Sequence, residues 1–295
     1  MSDLGRLNYF VGIEFIENQS GLVMHQSRYA REVLRKFEMH QSNSANTPTE
    51  VGLHMEKEPE EMSVDPTEYR KIVGSLRYLC NTRPDICFSV GLISRYMQNP
   101  RQSHLNAEKR VLRYLQGTCD FGILFPKVEA EPRLSLTAYS DADWCGDKWD
   151  RKSIVGYIFF LRDSPISWSS TKESVVALSS CEAEYIAACE ASCQAAWLSS
   201  LMEGLKFDLG GRVRLLVDNK STINLANHLA FHGRSKHIET KYHFVREQVN
   251  KGRLDLIHCI SEVQLADILT KALKRDKFKE LRNLIGVIKL GDVLA

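Results

Sequence analysis

Two aspartates stand where a hard divalent cation can be held. Asp141 closes an apolar–polar alternation that begins near Leu134, and Asp218 follows the apolar run from Val213 to Val217. Both positions read as C-terminal ends of β-strands. If those strands are parallel neighbours, their ends open on the crevice where α/β sheets place ligands. Two carboxylates meeting there repel each other unless a cation lies between them. Magnesium-class ions take oxygen ligands, and a pair of them activates water and stabilises a leaving oxygen in phosphodiester hydrolysis. A strand-end Asp also serves commonly as the cap of the next helix, so the spacing alone leaves both roles open.

The surrounding pattern supplies the scaffold. Leu134, Leu136 and Ala138 alternate with polar residues, Ile154 to Leu161 is β-rich, and Asp163-Ser164-Pro165 turns the chain into a third strand around Ile166 to Trp168. An alanine-rich stretch from about Leu178 to Leu205 predicts a long helix. Strand Val213 to Val217, helices Ser221 to His228 and His237 to Lys251, strand Leu254 to Ile260, and helices Val263 to Leu273 and Asp276 to Leu284 follow. Strands and helices in this order imply an α/β mixed five-stranded sheet with flanking helices.

Upstream the texture differs. Tyr9 to Ile16 and Leu22 to His25 flank the turn residues Asn18-Gln19-Ser20-Gly21, which predicts a hairpin, and Ser27 is placed to cap a helix carrying Val33, Leu34 and Phe37. Residues 41–65 are polar, acidic and proline-bearing and read as a linker. Three helices should follow, opened by Pro66, by Pro84-Asp85 and near Ser103. From Pro66 to Thr118 nine Lys/Arg face three acids, an excess that suits a polyanion. Lys109, Arg110 and Arg113 should lie on the outer face of the third helix. The expected divisions are 1–40, the linker 41–65, a basic helical region 66–126 and an α/β domain 133–287.

At 295 residues with 43% hydrophobic and 26% charged residues, the composition is that of a folded globular chain, not a disordered one. The apolar runs are too short to span a bilayer, and the charged N-terminus gives no support to a signal peptide. Eight cysteines include no Cys-x-x-Cys pair, which fits a reduced, intracellular setting, cytoplasmic or nuclear.

Four segments occur in a telling order: Tyr139-Ser140-Asp141-Ala142-Asp143-Trp144, Ser180-Cys181-Glu182-Ala183-Glu184-Tyr185, Val217-Asp218-Asn219, and Gln264 through Asp267 to Thr270-Lys271. Together they resemble the ribonuclease H domain of copia-type retrotransposon Pol polyproteins. Tyr9 to Glu14, Val73 to Leu79, Thr82 to Ile86 and Arg113 to Thr118 are similar to the end of that family's reverse transcriptase. The resemblance covers nearly the whole chain and implies a C-terminal piece of Pol. It also implies a ribonuclease H-like fold preceded by a smaller α+β reverse-transcriptase remnant of hairpin and basic helices.

Carried over by motif, the metal-binding and catalytic acids fall on Asp141, Glu184, Asp218 and Asp267. Glu182 competes with Glu184, since residues two apart on a helix diverge by about 200°. Glu184 shares a face with the small residues Ala188, Ala191 and Ala195, which favours it. Asp143 is expected to support Asp141. The implied reaction is cleavage of RNA in an RNA–DNA hybrid with two Mg2+ ions, manganese being the expected substitute. Asn219, Ser221, Arg234, Lys236 and the basic-helix residues Lys109, Arg110 and Arg113 are the expected nucleic-acid contacts, with helix capping the alternative for Asn219 and Ser221. The family's polymerase centre needs a Tyr-x-Asp-Asp hairpin, which this sequence lacks, so no polymerase activity is expected. The short stretch before Asp267 has no histidine of the kind proposed to help product release in cellular enzymes, and His258 reads as a partly buried strand residue. Competing readings are a catalytically inactive nucleic-acid-binding remnant and another nuclease of the same fold. Expected partners are the hybrid and the rest of Pol, with no membrane; oligomeric state is not legible.

Overall fold

The computed structural model describes residues 7–53, 55, 61–127, 134–227 and 236–294, the side chains of 236–242 and 294 excepted. In chain order its first elements are β1 (Tyr9–Phe10), β2 (Ile13–Asn18), β3 (Gly21–His25), α1 (Ser27–Lys36), α2 (Pro66–Leu79), α3 (Cys87–Ser94), α4 (Gln102–Gln116) and β4 (Phe121–Pro126). Next come β5 (Leu136–Asp143), β6 (Ile154–Leu161), β7 (Ser164–Lys172), α5 (Ser180–Gly204), β8 (Val213–Val217), α6 (Lys220–Asn227) and α7 (Lys236–Asn250). The last are β9 (Leu254–His258), α8 (Arg275–Leu284), β10 (Val287–Lys289) and α9 (Gly291–Leu294). They form two compact units, Met1–Val128 with Ala272–Ala295, and Glu129–Lys271.

The first unit holds an antiparallel sheet in the order β1-β2-β3-β4-β10. The predicted hairpin turn forms because Asn18 Oδ1 accepts from the N–H groups of Ser20 and Gly21 at 3.0 and 3.1 Å. Gly21 there takes φ +141°, where a Cβ would lie 2.1 Å from the Phe125 carbonyl oxygen. Ser27 is not the cap of α1. Gln26 holds the cap position, and Ser27 is buried in the first turn. Helix α2 starts as its sequence dictates: Asp65 accepts from the Thr67 N–H at 2.9 Å, Pro66 takes the first position, and Tyr69, Ile72, Val73, Leu76 and Leu79 form a buried stripe. Just ahead of α3, and bonded to Tyr114 of α4, is a fully buried ion pair. Arg83 Nη2 lies 2.8 Å from Asp85 Oδ2, and Tyr114 donates to the same oxygen at 2.6 Å. Arg83 also donates to Thr118, so the charges are bonded on several sides, as burial requires. Glu108 of α4 is different. It is fully buried, both its oxygens lack a hydrogen-bond partner among the described residues, and burial pushes its carboxyl up to about 9 against the pull of Lys109.

Two expected boundaries shift. The described part of 41–65 is no free linker, because it is strapped to α4 and α3: Arg113 Nε of α4 donates to the Asn43 carbonyl at 2.8 Å, and Thr49 Oγ1 donates to Ser89 of α3 at 2.5 Å. The second unit ends at Lys271 and not near 287, since β10 pairs with β4 and the Phe278 ring meets Tyr114 edge-on at 5.5 Å. The apolar faces of α8 and β10 complete the first unit, which the chain leaves and re-enters.

The second unit is the ribonuclease H-like mixed sheet with flanking helices that the sequence implied. Its order is β7-β6-β5-β8-β9, with β5-β6 and β6-β7 antiparallel and β5-β8 and β8-β9 parallel. Helix α5 lies close on β5 because Ala188, Ala191 and Ala195 are all but inaccessible and present little bulk. The helix predicted over Val263 to Leu273 is absent. Two 3-10 turns, Ser261–Val263 and Leu265–Leu269, are split by an extended Gln264. The Gln264 side chain explains the break: Nε2 donates to the Ser140 carbonyl at 2.9 Å while Oε1 accepts from the Ala266 N–H at 3.2 Å. This pins the turn to β5. Gly156, opposite Asp141 in β6, makes room for it, since a Cβ there would meet Leu269 Cβ and Thr270 Cγ2 at 2.8 Å.

Candidate metal centre

The parallel register of β5 and β8 sets Tyr139 against Leu216. Two residues further along each strand, Asp141 and Asp218 arrive side by side at the ends of neighbouring strands. Asp141 is not the last residue of β5, which runs on to Asp143. From above, α5 brings in Glu184, whose Oε1 accepts from the Ala142 N–H at 3.2 Å. Asp141, Glu184 and Asp218 each offer an oxygen atom, and the three atoms lie within 4.8 Å of one another. Among the described residues this is the one such group of three or more acids, histidines or cysteines.

The rivalry between Glu182 and Glu184 is resolved by helix capping. Ser179 caps α5 by accepting from the Glu182 N–H at 3.2 Å, and the Glu182 carboxylate reaches back to the Leu178 N–H at 2.7 Å. Glu182 therefore serves the helix start, and Glu184 serves the cluster.

Asp267 lies outside that group of three and joins the constellation through Lys271. Lys271 Nζ sits 2.9 Å from Asp267 Oδ1 and 3.6 Å from Asp141 Oδ2. Thr270 Oγ1 donates to Asp141 Oδ2, and Ser261 Oγ donates to Asp218 Oδ2 at 2.9 Å. The motif around Asp267 thus delivers a hydroxyl and an ammonium as well as an acid. Sequence reasoning missed their roles, although Asp267 and Lys271 stand four apart, the spacing that brings opposite charges together on a turn.

Electrostatics reflect the crowding. Burial raises the Glu184 carboxyl, with the charges of Asp141 and Asp218 adding to it, up to about 9. Asp267 is pushed up to about 7 by burial and then by Asp141, against the pull of Lys271. Asp141 and Asp143 also lie above the ordinary carboxylate range, burial being the main cause for each. Glu184 Oε2 is buried without a hydrogen-bond partner among the described residues. An all-oxygen donor set with an orphaned, inward carboxylate oxygen fits a hard divalent cation, whose charge reverses each of these shifts.

The remaining expected contacts divide between capping, exposure and internal pairing. Asn219 Oδ1 caps α6 by accepting from the Ser221 and Thr222 N–H groups at 3.0 and 3.1 Å, while Ser221 is exposed. Arg234 lies outside the described residues, as does the side chain of Lys236. In the first unit Lys109 is exposed, but Arg110 is paired with Glu50 and donates to Thr47, and Arg113 holds the Asn43 carbonyl. His258 is exposed and not partly buried; its neighbour Cys259 takes the inward place. No helix among the described residues is long and apolar enough to cross a membrane.

No family model matches the chain. Curated relatives do. It is 44% identical over 284 residues, 96% of its length, to the retrovirus-related Pol polyprotein from transposon RE2 of Arabidopsis thaliana. It is 42% identical over 290 residues, 98% of its length, to the corresponding polyprotein from transposon RE1 of the same plant. The chain belongs to the copia-type retrotransposon Pol family. It spans 19% and 20% of the length of those two Pol polyproteins. Among solved structures it is similar to the N-terminal RNase H domain of Rv2228c from Mycobacterium tuberculosis, fused to maltose-binding protein. That likeness has 13% identity and a TM-score of 0.35, covering 51% of this Pol chain and 97% of the other. The fold of this Pol segment is read from its own strand order and register, described above.

Proposed function

We propose that the Glu129–Lys271 unit is the ribonuclease H of a retrotransposon Pol polyprotein, cutting the RNA strand of RNA–DNA hybrids with two Mg2+ ions. The observation that carries this is the convergence of Asp141, Glu184 and Asp218 from two parallel strands and a helix, with oxygen atoms within 4.8 Å, in a chain of the Pol family. Asp141, Glu184 and Asp218 would hold one ion, and Asp141 with Asp267 the other. Bound there, such ions supply an activated water and neutralise charge on the leaving 3′ oxygen.

The chain's own residues do the positioning. Thr270 fixes one oxygen of Asp141, the Ala142 N–H aims Glu184, and Ser261 steadies Asp218. These bonds set three carboxylates before any ion arrives, which spares the reorganisation that loose ligands would need. Choice of RNA over DNA has to come through the 2′-hydroxyl and groove shape. Exposed Ser221 and the Nδ2 of Asn219, whose oxygen is used in capping, are the groups beside Asp218 that suit a sugar or phosphate. Lys109 is the basic-helix cation best placed for a phosphate, because Arg110 and Arg113 hold the 41–53 segment.

The test is cleavage of an end-labelled RNA–DNA hybrid by the full chain, in Mg2+ and in EDTA, beside the Asp141→Asn variant. RNA should be cut by the unaltered chain in Mg2+ alone, and duplex DNA should stay intact. A chain that binds hybrid but leaves it whole in Mg2+, or cleavage that survives in Asp141→Asn, overturns the proposal.

A further inference from the structure

One cation is already inside the acidic cluster, and the chain supplies it. Lys271 Nζ bridges Asp267 Oδ1 at 2.9 Å and Asp141 Oδ2 at 3.6 Å. Under the nuclease reading, on which this inference rests, those two carboxylates are also the ones that must share the second divalent ion. An ammonium and a metal ion cannot both lie between them: an ammonium keeps its oxygens at about 2.8 Å or more, whereas Mg2+ draws its oxygens in to about 2.1 Å.

Two features separate this pair from a structural ion pair. The Lys271 side chain is 36% exposed, whereas the Arg83 and Asp85 side chains of the first unit are 3% and 0% exposed. A four-carbon stem that ends at the rim can swing out without unpacking a core. The cluster's charge also invites exchange. Asp141, Glu184, Asp218 and Asp267 gather four carboxyl groups that a metal ion would draw into the charged form, and Lys271 offers them one ammonium.

We propose that Lys271 is a built-in competitor for the second metal position: its ammonium holds Asp267 against Asp141 in the metal-free protein and is displaced when a second ion binds. Lys271 is a positioning residue, acting through the two aspartates and not on substrate. The first position, among Asp141, Glu184 and Asp218, fills without disturbing it. Two-ion occupancy then becomes graded with metal concentration, because the second ion must break an ion pair that the first leaves intact.

The experiment is Mn2+ binding to the full chain, by electron paramagnetic resonance and titration calorimetry, for wild type, Lys271→Met and Lys271→Arg. Wild type should show one stronger and one weaker site. Lys271→Met should leave the stronger site alone and tighten the weaker one roughly tenfold, while Lys271→Arg, which keeps the charge, should resemble wild type. If Lys271→Met is unstable in EDTA, its unfolding midpoint is followed against Mn2+, and a steeper gain than wild type supports the proposal equally. An unchanged or weaker second site in Lys271→Met, with wild type binding manganese normally, overturns the proposal and leaves the nuclease reading standing. A wild-type chain that binds no Mn2+ at all removes the nuclease reading itself.

Discussion

Glu108 offers a quantitative test of the first unit's core. Its carboxyl is buried, lacks partners among the described residues and is raised to about 9. In the unfolded chain it returns to the ordinary glutamate value of 4.5. A raised folded value means that the folded state holds the proton more tightly, so stability is greatest at low pH. It falls as pH climbs through 4.5 and keeps falling until the folded carboxyl itself ionises near 9. Each pH unit above 4.5 costs about 1.4 kcal/mol, so at pH 7 the loss is about 3 kcal/mol, and at pH 5 it is below about 1 kcal/mol. Glu108→Gln keeps the shape and removes the titration. The variant should therefore be more stable than wild type by about 3 kcal/mol at pH 7, and the gain should shrink to less than about 1 kcal/mol at pH 5. Urea unfolding at both pH values measures this. All four tryptophans (Trp144, Trp149, Trp168 and Trp197) lie in the second unit, so their fluorescence follows that unit while far-ultraviolet circular dichroism follows both. A Glu108→Gln chain less stable at pH 7, or a gain identical at the two pH values, would refute the account of this carboxylate as an uncompensated burial.

Further predictions concern the acidic cluster. Asp141→Asn should lower hybrid cleavage by at least about 100-fold while its melting temperature in EDTA stays level or rises, since one crowded charge is gone. A large loss of stability would show Asp141 to be structural instead. Glu182→Ala should cost about 1 kcal/mol by uncapping α5 and keep cleavage, whereas Glu184→Gln should lose cleavage and keep stability; the reverse pairing would exchange their roles. Gly156→Ala puts a methyl 2.8 Å from Leu269 and Thr270. It should cost about 1–3 kcal/mol in denaturant melts and reduce cleavage by tilting the turn that carries Asp267.

Much of the second unit was legible because its strands alternate cleanly and its long helix is marked by small residues on one face. The parallel β5-β8 pairing, the condition on which two strand-end aspartates could meet, is what places Asp141 beside Asp218. Pattern failed where one side chain overrides local periodicity. Leu265, Ile268, Leu269 and Ala272 recur at helical spacing, but Gln264 spends both ends of its amide on the backbone and breaks the helix. The acidic, proline-bearing 41–65 segment looked like a tether by composition, and nothing local signalled that Arg113, some seventy residues away, would hold it. Likewise Arg110 and Arg113 sat on the predicted outer face, yet they serve the fold. Charge at an exposed helix position does not say which anion it meets.

The return of the chain into its first unit carries a genetic consequence. Strand β10 completes the sheet against β4, and Asn18 Nδ2 donates to the Val293 carbonyl at 2.6 Å, so the two extremes of the described chain are stitched together. A premature stop codon just past Lys271 would spare every acid of the cluster yet leave β4 an open, sticky edge. Damage to the codons after Lys271 would thus surface as misfolding of the unit that holds β1 to β4.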